Sequence, residues 1–198
     1  DVFFRELGLR KPNYSLGIQE KTFGAQIGQI LEKTEEILLQ EKPDRFLVLG
    51  DTNSALSAFI AERYGIPVFH MEAGNRCYDP KVPEEVNRKM IDAISTWSFP
   101  YTPGSRENLI REGKEKRKIS ISGNPIKEVL TAFESEIEAS KILNILEIEK
   151  GNYFLVTLHR AENVDVKERL IELMEGLAAV AKKNHKPIIC STHPRTRD

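Results

Sequence analysis

Polar and ionisable side chains stand at or just after the ends of short apolar runs in this sequence. In chain order they are Asp51, His70 with Glu72, Asn124, His159 and His193. Apolar runs that alternate with helical patterns predict parallel strands, and parallel sheets bind ligands at the carboxyl ends of their strands. One or two polar residues could stand there by chance, but five positions favour a binding cleft. Carboxylates and imidazoles in a cleft are suited to general acid–base chemistry.

Taken singly, the carboxylates also have ordinary structural interpretations. Asp51 precedes a predicted helix, where an acidic or hydroxyl side chain commonly caps the first turn, and this favours capping over catalysis. Glu84 and Glu85 follow Pro83 and match the first turn of a helix, and for Glu85 this helix-dipole role is the favoured interpretation. The segment from His70 to Arg76 favours function, because a strand end has little structural need for an ionisable pair and a glycine turn.

A second polar cluster, His159-Arg160-Ala161-Glu162-Asn163, stands between a predicted strand and a predicted helix. An arginine at a helix N-terminus suits a pyrophosphate, but a solvated loop whose Glu and Asn cap the helix explains the same residues equally well. His193 precedes a proline and is by default an exposed loop histidine. The sequence has no HExxH, CxxC or Walker-type glycine loop, so helix ends and arginine would have to hold a nucleotide.

Composition excludes several classes of protein. The 198 residues are 40% hydrophobic and 30% charged, which suffices for one ordinary domain or two small ones. Twenty-nine Lys and Arg balance thirty Asp and Glu, and the net charge of -1 disfavours binding to nucleic acid or to an anionic membrane. No apolar run has the length of a membrane span. Cys77 and Cys190 are the only cysteines, which suits a reducing cytoplasm and cannot complete a thiolate zinc site.

The periodicity of apolar residues predicts helices and strands in alternation. Residues 22–40 form one predicted amphipathic helix, which Pro43 ends. The other predicted helices are residues 54–64, 83–94, 105–112, 136–146 and 167–183, and the predicted strands are residues 46–49, 67–70, 97–99, 119–121, 153–158 and 188–190. This alternation predicts an α/β fold whose mainly parallel sheets carry helices on both faces. We expect two domains, residues 1–124 and 125–198.

Read together, the polar motifs resemble those of one family. They are Gly50-Asp51-Thr52, His70 to Arg76, Pro83 to Arg88, Gly123-Asn124 and His159 to Asn163. Their order and approximate spacing are similar to those of the non-hydrolysing UDP-N-acetylglucosamine 2-epimerases, over essentially the whole chain. That family is longer, with an Arg-Pro-Glu turn before and a Gly-rich UDP-binding segment after the matching region. The resemblance therefore implies an internal portion of such a protein, with both domains incomplete.

The resemblance implies a fold and a reaction. The fold is two Rossmann-like domains in the glycosyltransferase-B arrangement, with a UDP-sugar between them and a homodimer as the usual assembly. The family inverts C2 of the sugar by eliminating UDP across C1 and C2 and adding it back after protonation from the other face. This chemistry requires carboxylates near C2 and cationic donors on the diphosphate. It implies no NAD, no obligatory metal and therefore no cofactor.

Roles for individual residues follow from the resemblance by position. The expected catalytic residues are Asp51, Glu72, Glu84 and His159. The expected substrate-binding residues are Arg76, Asn124, Arg160, Glu162 and His193. His159 corresponds to the family's histidine near the diphosphate.

The exact substrate and some alternative functions stay open at this point. The segment Asn75-Arg76-Cys77-Tyr78-Asp79 looks more like the branch that acts on modified sugars such as UDP-2,3-diacetamido-glucuronate. A glycosyltransferase of the same architecture, a hydrolysing epimerase and a non-catalytic nucleotide-sugar-binding protein are the alternatives. The paired motifs of Glu72 and Glu84 favour the epimerase over the glycosyltransferase.

Overall fold

The computed structural model describes residues 4–5, 7–158 and 166–192. The chain divides into two compact units, Asp1–Lys127 and Glu128–Asp198. The first unit contains a parallel sheet of three strands and the second a parallel sheet of two. The predicted α/β fold class with parallel sheets is therefore confirmed.

Helices and strands alternate along the chain. The first unit contains α1 (Phe23–Glu41), β1 (Phe46–Leu49), a 3₁₀ helix (Asn53–Ser57), α2 (Ala58–Arg63), β2 (Val68–Met71), α3 (Pro83–Ile94), β3 (Trp97–Phe99), α4 (Pro103–Arg111) and a second 3₁₀ helix (Lys116–Lys118). Helix α5 (Ile126–Ala132) spans the division between the units. The second unit continues with α6 (Glu134–Ala139), α7 (Ile142–Ile145), β4 (Phe154–Leu158), α8 (Lys167–Asn184) and β5 (Ile188–Thr192).

Helix α1 forms where the apolar periodicity predicts it. The hydroxyl of Thr22 accepts a hydrogen bond of 3.3 Å from a backbone N–H of the first turn and so caps the helix. Ile30, Thr34 and Leu38 recur every four residues and are buried, and Leu38 belongs to the core cluster that also contains Val48 and Leu56. The helix ends at Glu41. The capping residue Lys42 has a left-handed backbone and stands directly before Pro43.

The first sheet brings the carboxyl ends of its three strands to one edge. The strands lie in the order β1-β2-β3 and run parallel, with Val48 beside His70 and His70 beside Ser98. A hydrophobic core covers one face of the sheet and contains Leu38, Val48, Ala55, Leu56, Ala58, Ala61, Val68 and Ile91. Leu47 and Leu49 point to the opposite face and are 63% and 60% exposed. Within the described residues, the expectation of helices on both faces is therefore wrong for β1.

Two local predictions in the first unit hold only partly. Residues 54–64 begin as a 3₁₀ helix and become α-helical only at Ala58. Residues 119–121 are not a full strand, because only Ile119 forms a bridge, with Ser98 of β3. The N–H groups of Ser120 and Ser122 still donate to Ser98 O and Pro100 O at 3.0 Å each, so the segment runs beside β3 without forming a full ladder. The predicted helix at residues 83–94 is confirmed.

The predicted helix at residues 136–146 is two shorter helices, α6 and α7. They are separated at Ser140, whose backbone is extended and whose hydroxyl accepts a hydrogen bond of 3.4 Å from the N–H of Ile142. Serine competes with helical hydrogen bonding in this way, and the periodicity of apolar residues does not register it. Within the described parts of the chain, no helix is both long and apolar enough to cross a bilayer.

Candidate active site

Asp51 and Glu72 lie together at the carboxyl edge of the first sheet. Asp51 stands two residues after β1, and Glu72 follows β2 directly. The backbone ladder continues past both strands, since Gly50 N donates to Met71 O at 3.1 Å and Glu72 N donates to Phe99 O at 3.1 Å. A Cβ atom on Gly50 would lie 3.4 Å from Glu72 Oε2. The carboxylate of Glu72 therefore lies beside the residue that precedes Asp51.

The carboxylate of Asp51 pairs with Arg88 of α3. Arg88 donates to Asp51 Oδ2 from Nε at 2.9 Å and from Nη2 at 2.6 Å. Asn87 fixes the same loop, because its amide donates to the backbone oxygen of Asp51 at 3.0 Å. The N-cap of the following 3₁₀ helix is Thr52, so the interpretation of Asp51 as a helix cap is wrong. Its carboxylate is instead held by the guanidinium of Arg88.

Glu72 has a strained backbone and no cationic partner in the described part of the chain. Its φ is 67, in the left-handed region that costs a non-glycine residue about 1–3 kcal/mol. Its Oε1 accepts a hydrogen bond of 3.3 Å from the side-chain amide of Asn75, whose own oxygen accepts from Ser105 at 2.9 Å. Strained residues of this kind concentrate at functional sites. The structure thus presents Glu72 as a carboxylate held in position but not neutralised.

The two glutamates that begin α3 differ in their surroundings. Glu84 is exposed and lies one helical turn before Arg88, on the side of α3 that approaches Asp51. Glu85 is 1% exposed and accepts hydrogen bonds from the backbone N–H groups of Cys77 at 3.0 Å and Tyr78 at 3.2 Å. Glu85 lies in the first turn of α3, as predicted, but the interpretation as an ordinary first-turn acid is incomplete, because its carboxylate also holds the loop at Cys77 and Tyr78.

The pKa of Glu85 shows how strongly this carboxylate is held in its charged form. Burial by itself would raise the pKa, but the hydrogen bonds from Cys77, Lys89 and Tyr78 outweigh it and lower the pKa to about 2. Lys89 and Arg88 also approach the carboxylate at 3.2 Å and 3.3 Å. Glu85 therefore acts as an anchor for the loop that follows the Glu72 turn.

Comparison with known proteins decides the family. The family model described as UDP-N-acetylglucosamine 2-epimerase matches residues 1–198. The chain belongs to this family. A UDP-N-acetylglucosamine 2-epimerase of Methanocaldococcus jannaschii is 44% identical over 99% of the chain and 55% of the relative. A UDP-2,3-diacetamido-2,3-dideoxy-D-glucuronate 2-epimerase of Pseudomonas aeruginosa is 37% identical over 100% of the chain and 55% of the relative.

Solved epimerase structures match the fold of the chain. The UDP-N-acetylglucosamine 2-epimerase from Rickettsia bellii superposes with a TM-score of 0.90 at 45% identity, over 99% of this chain and 51% of that one. The Methanocaldococcus jannaschii enzyme in complex with UDP-GlcNAc and UDP superposes with a TM-score of 0.89 at 42% identity, over 99% of this chain and 55% of that one. The chain thus spans about half the length of the epimerases that it matches.

Arg76, a substrate-binding residue by its position in the epimerase motif, is engaged within the protein in this structure. Its side chain has no exposed surface, and its guanidinium donates to Asp92 Oδ2 at 2.8 Å and forms a two-bond ion pair with Glu112. Burial would lower the pKa of Arg76, but hydrogen bonds to Glu112 and Asp92 raise it overall. The substrate-binding role stays a prediction, and the geometry supplies a structural role beside it.

The other residues predicted from the epimerase motifs are placed less fully. Asn124 is exposed, and its side-chain oxygen accepts a hydrogen bond of 3.0 Å from the N–H of Ile126 at the start of α5. His159, Arg160, Glu162 and His193 lie outside the described residues. Their roles near the diphosphate and the nucleotide therefore stay predictions.

Sequence reasoning missed several residues of this candidate site. Asp92 and Arg88 stand on the inner side of α3, and neither their type nor their spacing distinguishes them from surface charges of a helix. Tyr101 stands two residues after β3, as Asp51 stands two residues after β1. Its position after a predicted strand could therefore have marked it as a candidate site residue. Burial, and next the nearby charge of Glu72, raise the pKa of Tyr101. A neutral phenol therefore lies near the Glu72 carboxylate.

The described residues offer no cluster of three or more His, Cys, Asp or Glu side chains that could hold a metal ion. The carboxylates of the site instead have partners of three kinds. Asp51 is bound by an arginine, Glu72 by the side-chain amide of Asn75, and Glu85 by backbone N–H groups. Asp51 thus has a cationic partner, whereas Glu72 has none among the described residues. This arrangement is suited to proton transfer on one small substrate at the edge of the sheet.

Proposed function

We propose that the protein carrying this sequence is an isomerase that inverts C2 of a UDP-2-acetamido sugar, converting UDP-GlcNAc to UDP-ManNAc. The observation that carries the proposal is the pair Asp51 and Glu72 at one sheet edge, with Glu84 on the adjacent helix, in a chain of the 2-epimerase family. The epimerase relatives support this activity over a glycosyltransferase of the same architecture. Such an enzyme would supply polysaccharide or cell-envelope sugar biosynthesis.

The proposed route is elimination and re-addition of UDP. The hydrogen at C2 is not acidified by an adjacent carbonyl group, so direct removal and return of a proton would be slow. Loss of UDP across C1 and C2 gives a 2-acetamidoglucal, and protonation at C2 from the other face followed by return of UDP gives the epimer. The route is redox-neutral and draws on no NAD and no metal ion.

The surroundings of the three carboxylates suggest a division of their roles. Asp51 is paired with Arg88 and suits a fixed negative charge that orients groups of the sugar. Glu72 and Glu84 have no cationic partner in the described residues, and we assign them the proton transfers at C2. His159 and Arg160, with Asn124, Arg76, Glu162 and His193, are proposed to bind the departing diphosphate and the nucleotide, as their motif positions imply.

Deuterium exchange tests the route directly. The full-length protein is incubated with UDP-GlcNAc in deuterated water, and C2 of the sugar is followed by nuclear magnetic resonance. The proposed mechanism requires deuterium from solvent at C2 of the product. Epimer that retains all of its original C2 hydrogen would contradict elimination, and release of free N-acetylmannosamine with UDP would indicate a hydrolysing enzyme. Binding of UDP-GlcNAc without turnover would favour a nucleotide-sugar-binding protein.

The substrate could instead be a modified sugar of the same class. The relative that is named for UDP-2,3-diacetamido-2,3-dideoxy-D-glucuronate supports this second candidate, and so does the resemblance of the segment Asn75 to Asp79. UDP-N-acetylglucosamine is preferred because more similar relatives bear its name, at 44% and 43% identity. Parallel measurement of kcat/KM for the two UDP-sugars decides between them.

We further propose two domains, residues 1–124 and 125–198, the second belonging to the UDP-binding half of a longer protein. A homodimer in the cytoplasm, with neither nucleic acid nor membrane as a partner, is proposed from the family resemblance, the balanced charge and the cysteine usage. Light scattering of the full-length protein tests the assembly, since the mass of one chain at all concentrations would contradict a dimer.

A further inference from the structure

A pair of buried side chains joins the two loops that carry the candidate carboxylates. His70 of β2 has no exposed surface, and Asp92 of α3 is 3% exposed. The two side chains are 2.7 Å apart, from His70 Nδ1 to Asp92 Oδ1. Neither residue reaches the open edge of the sheet, so the chemistry assigned to the carboxylates does not use them directly.

The histidine reaches the loop of Asp51. Its Nε2 lies 2.9 Å from the backbone oxygen of Gly50, the residue before Asp51. A carbonyl oxygen only accepts hydrogen bonds, so Nε2 must donate. Its Nδ1 lies against the carboxylate oxygen Oδ1 of Asp92. Both ring nitrogens are thus used, one for each neighbour.

The aspartate reaches the turn of Glu72. Its Oδ2 accepts hydrogen bonds from the backbone N–H of Gly74 at 3.0 Å and from Arg76 Nη1 at 2.8 Å. Gly74 stands two residues after Glu72, which is held at φ 67. Asp92 therefore fixes the turn that keeps Glu72 in its left-handed conformation.

We propose that His70 and Asp92 are positioning residues that hold the Asp51 loop and the Glu72 turn at a fixed separation for the proton transfers. A continuous path of hydrogen bonds runs from Gly50 O through His70 and Asp92 to Gly74 N. Backbone hydrogen bonds of the sheet join these strands only as far as Gly50 and Glu72. Beyond that point, the path supplies a link through side chains. The effect on activity rests on the proposed epimerase function, whereas the link itself does not.

Two substitutions at His70 separate the halves of the path. His70→Gln places an amide nitrogen near the position of Nε2 and keeps the donor to Gly50, but it loses the bond to Asp92. His70→Asn places an amide nitrogen near the position of Nδ1 and keeps the bond to Asp92, but it loses the donor to Gly50. Ser95→Ala is the matched control, because Ser95 is also buried and its hydroxyl, among the described residues, donates to Ile91 O and to no part of the path.

Turnover of UDP-GlcNAc is measured for these variants of the full-length protein, below the unfolding temperature of each. If the path positions the carboxylates, each His70 variant loses about 10- to 100-fold in kcat with KM changed less than about twofold, because small displacements of catalytic groups are costly in rate. Ser95→Ala keeps its kcat. Wild-type kcat in both folded His70 variants would overturn the proposal.

Hydrogen exchange tests the link without any turnover. Asp92→Asn leaves one accepting oxygen where two are used, so it breaks one end of the path. We expect faster amide exchange both in residues 72–76, which Asp92 contacts, and in residues 50–53, which it does not contact. Faster exchange confined to residues 72–76, or equal acceleration in Ser95→Ala, would overturn the link. If Asp92→Asn shows this exchange pattern but the wild-type protein does not epimerise UDP-GlcNAc, the proposed function alone is contradicted.

Discussion

Four acidic side chains of the first unit have the same chemistry in the sequence and different partners in the structure. Asp51 is bound by Arg88, Glu85 by backbone N–H groups, and Asp92 by His70, Gly74 and Arg76. Glu72 is bound only by an amide, in the described part of the chain, and sits on a strained backbone. Under the proposed mechanism, we therefore expect the charge of Glu72 to be needed for turnover.

Replacement of Glu72 tests this assignment. Glu72→Gln keeps the shape of the side chain and the contact with Asn75 but removes the proton acceptor, so kcat should fall by ~10²–10⁴-fold while the fold persists. The measurement is kcat for epimerisation, with thermal unfolding of both proteins alongside. Glu107→Gln is the control, because Glu107 is exposed on α4 and pairs only with its neighbour Arg106. Equal activity of the two variants would remove Glu72 from the mechanism.

At the scale of elements, the turn after β2 depends on close packing against α4. Gly74 has φ 79, and a Cβ atom there would lie 2.2 Å from the backbone oxygen of Ser105 in the first turn of α4. Asn108 of the same helix donates to Gly74 O at 2.9 Å. The glycine of the motif is therefore required by contact with a helix about thirty residues further along the chain.

Gly74→Ala should consequently destabilise the protein. We expect a loss of about 2–5 kcal/mol in the free energy of unfolding, from the left-handed backbone together with the clash. Denaturant unfolding of the full-length protein measures it. Gly104→Ala is a control of opposite sign, because a Cβ atom there meets only Thr102 Oγ1 at 3.8 Å and alanine favours the helix by about 0.5–1 kcal/mol. If Gly74→Ala were as stable as Gly104→Ala, the turn would not be packed as described.

The sequence predicts most elements of the first unit and the position of Asp51 and Glu72, because both depend on local patterns. Apolar runs mark β1 to β3, and polar residues directly after them mark the edge of the sheet. The partners of the acids cannot be predicted in this way. Glu85 and Asp92 lie on a helix with ordinary first-turn and surface charges, and only the packing of α3 against the loops shows that both are buried. The contacts of Glu85 with Cys77 and Tyr78 also depend on this packing, so the sequence does not predict them.

At the scale of the whole molecule, buried charges make stability depend on pH. The pKa of Glu85 is about 2 in the folded protein, against an ordinary value of 4.5 that applies to the unfolded chain. The folded state therefore binds this proton more weakly than the unfolded state does. The contribution of Glu85 to stability is therefore fully present above about pH 4.5 and is lost as the pH falls toward 2. A difference of this size corresponds to about 3 kcal/mol, of which roughly 2 kcal/mol is lost by about pH 3.

The last prediction compares Glu85→Gln with the wild type between pH 7 and pH 3 in denaturant unfolding. The variant lacks the titrating group, so its deficit in the free energy of unfolding should shrink by about 2 kcal/mol as the pH is lowered. Glu84→Gln is the matched control, since Glu84 precedes it on the same helix turn but is exposed. The difference between Glu84→Gln and the wild type should stay nearly constant over the same range. A deficit of Glu85→Gln that does not change with pH would mean that the hydrogen bonds from Cys77 and Tyr78 do not hold this carboxylate in its charged form.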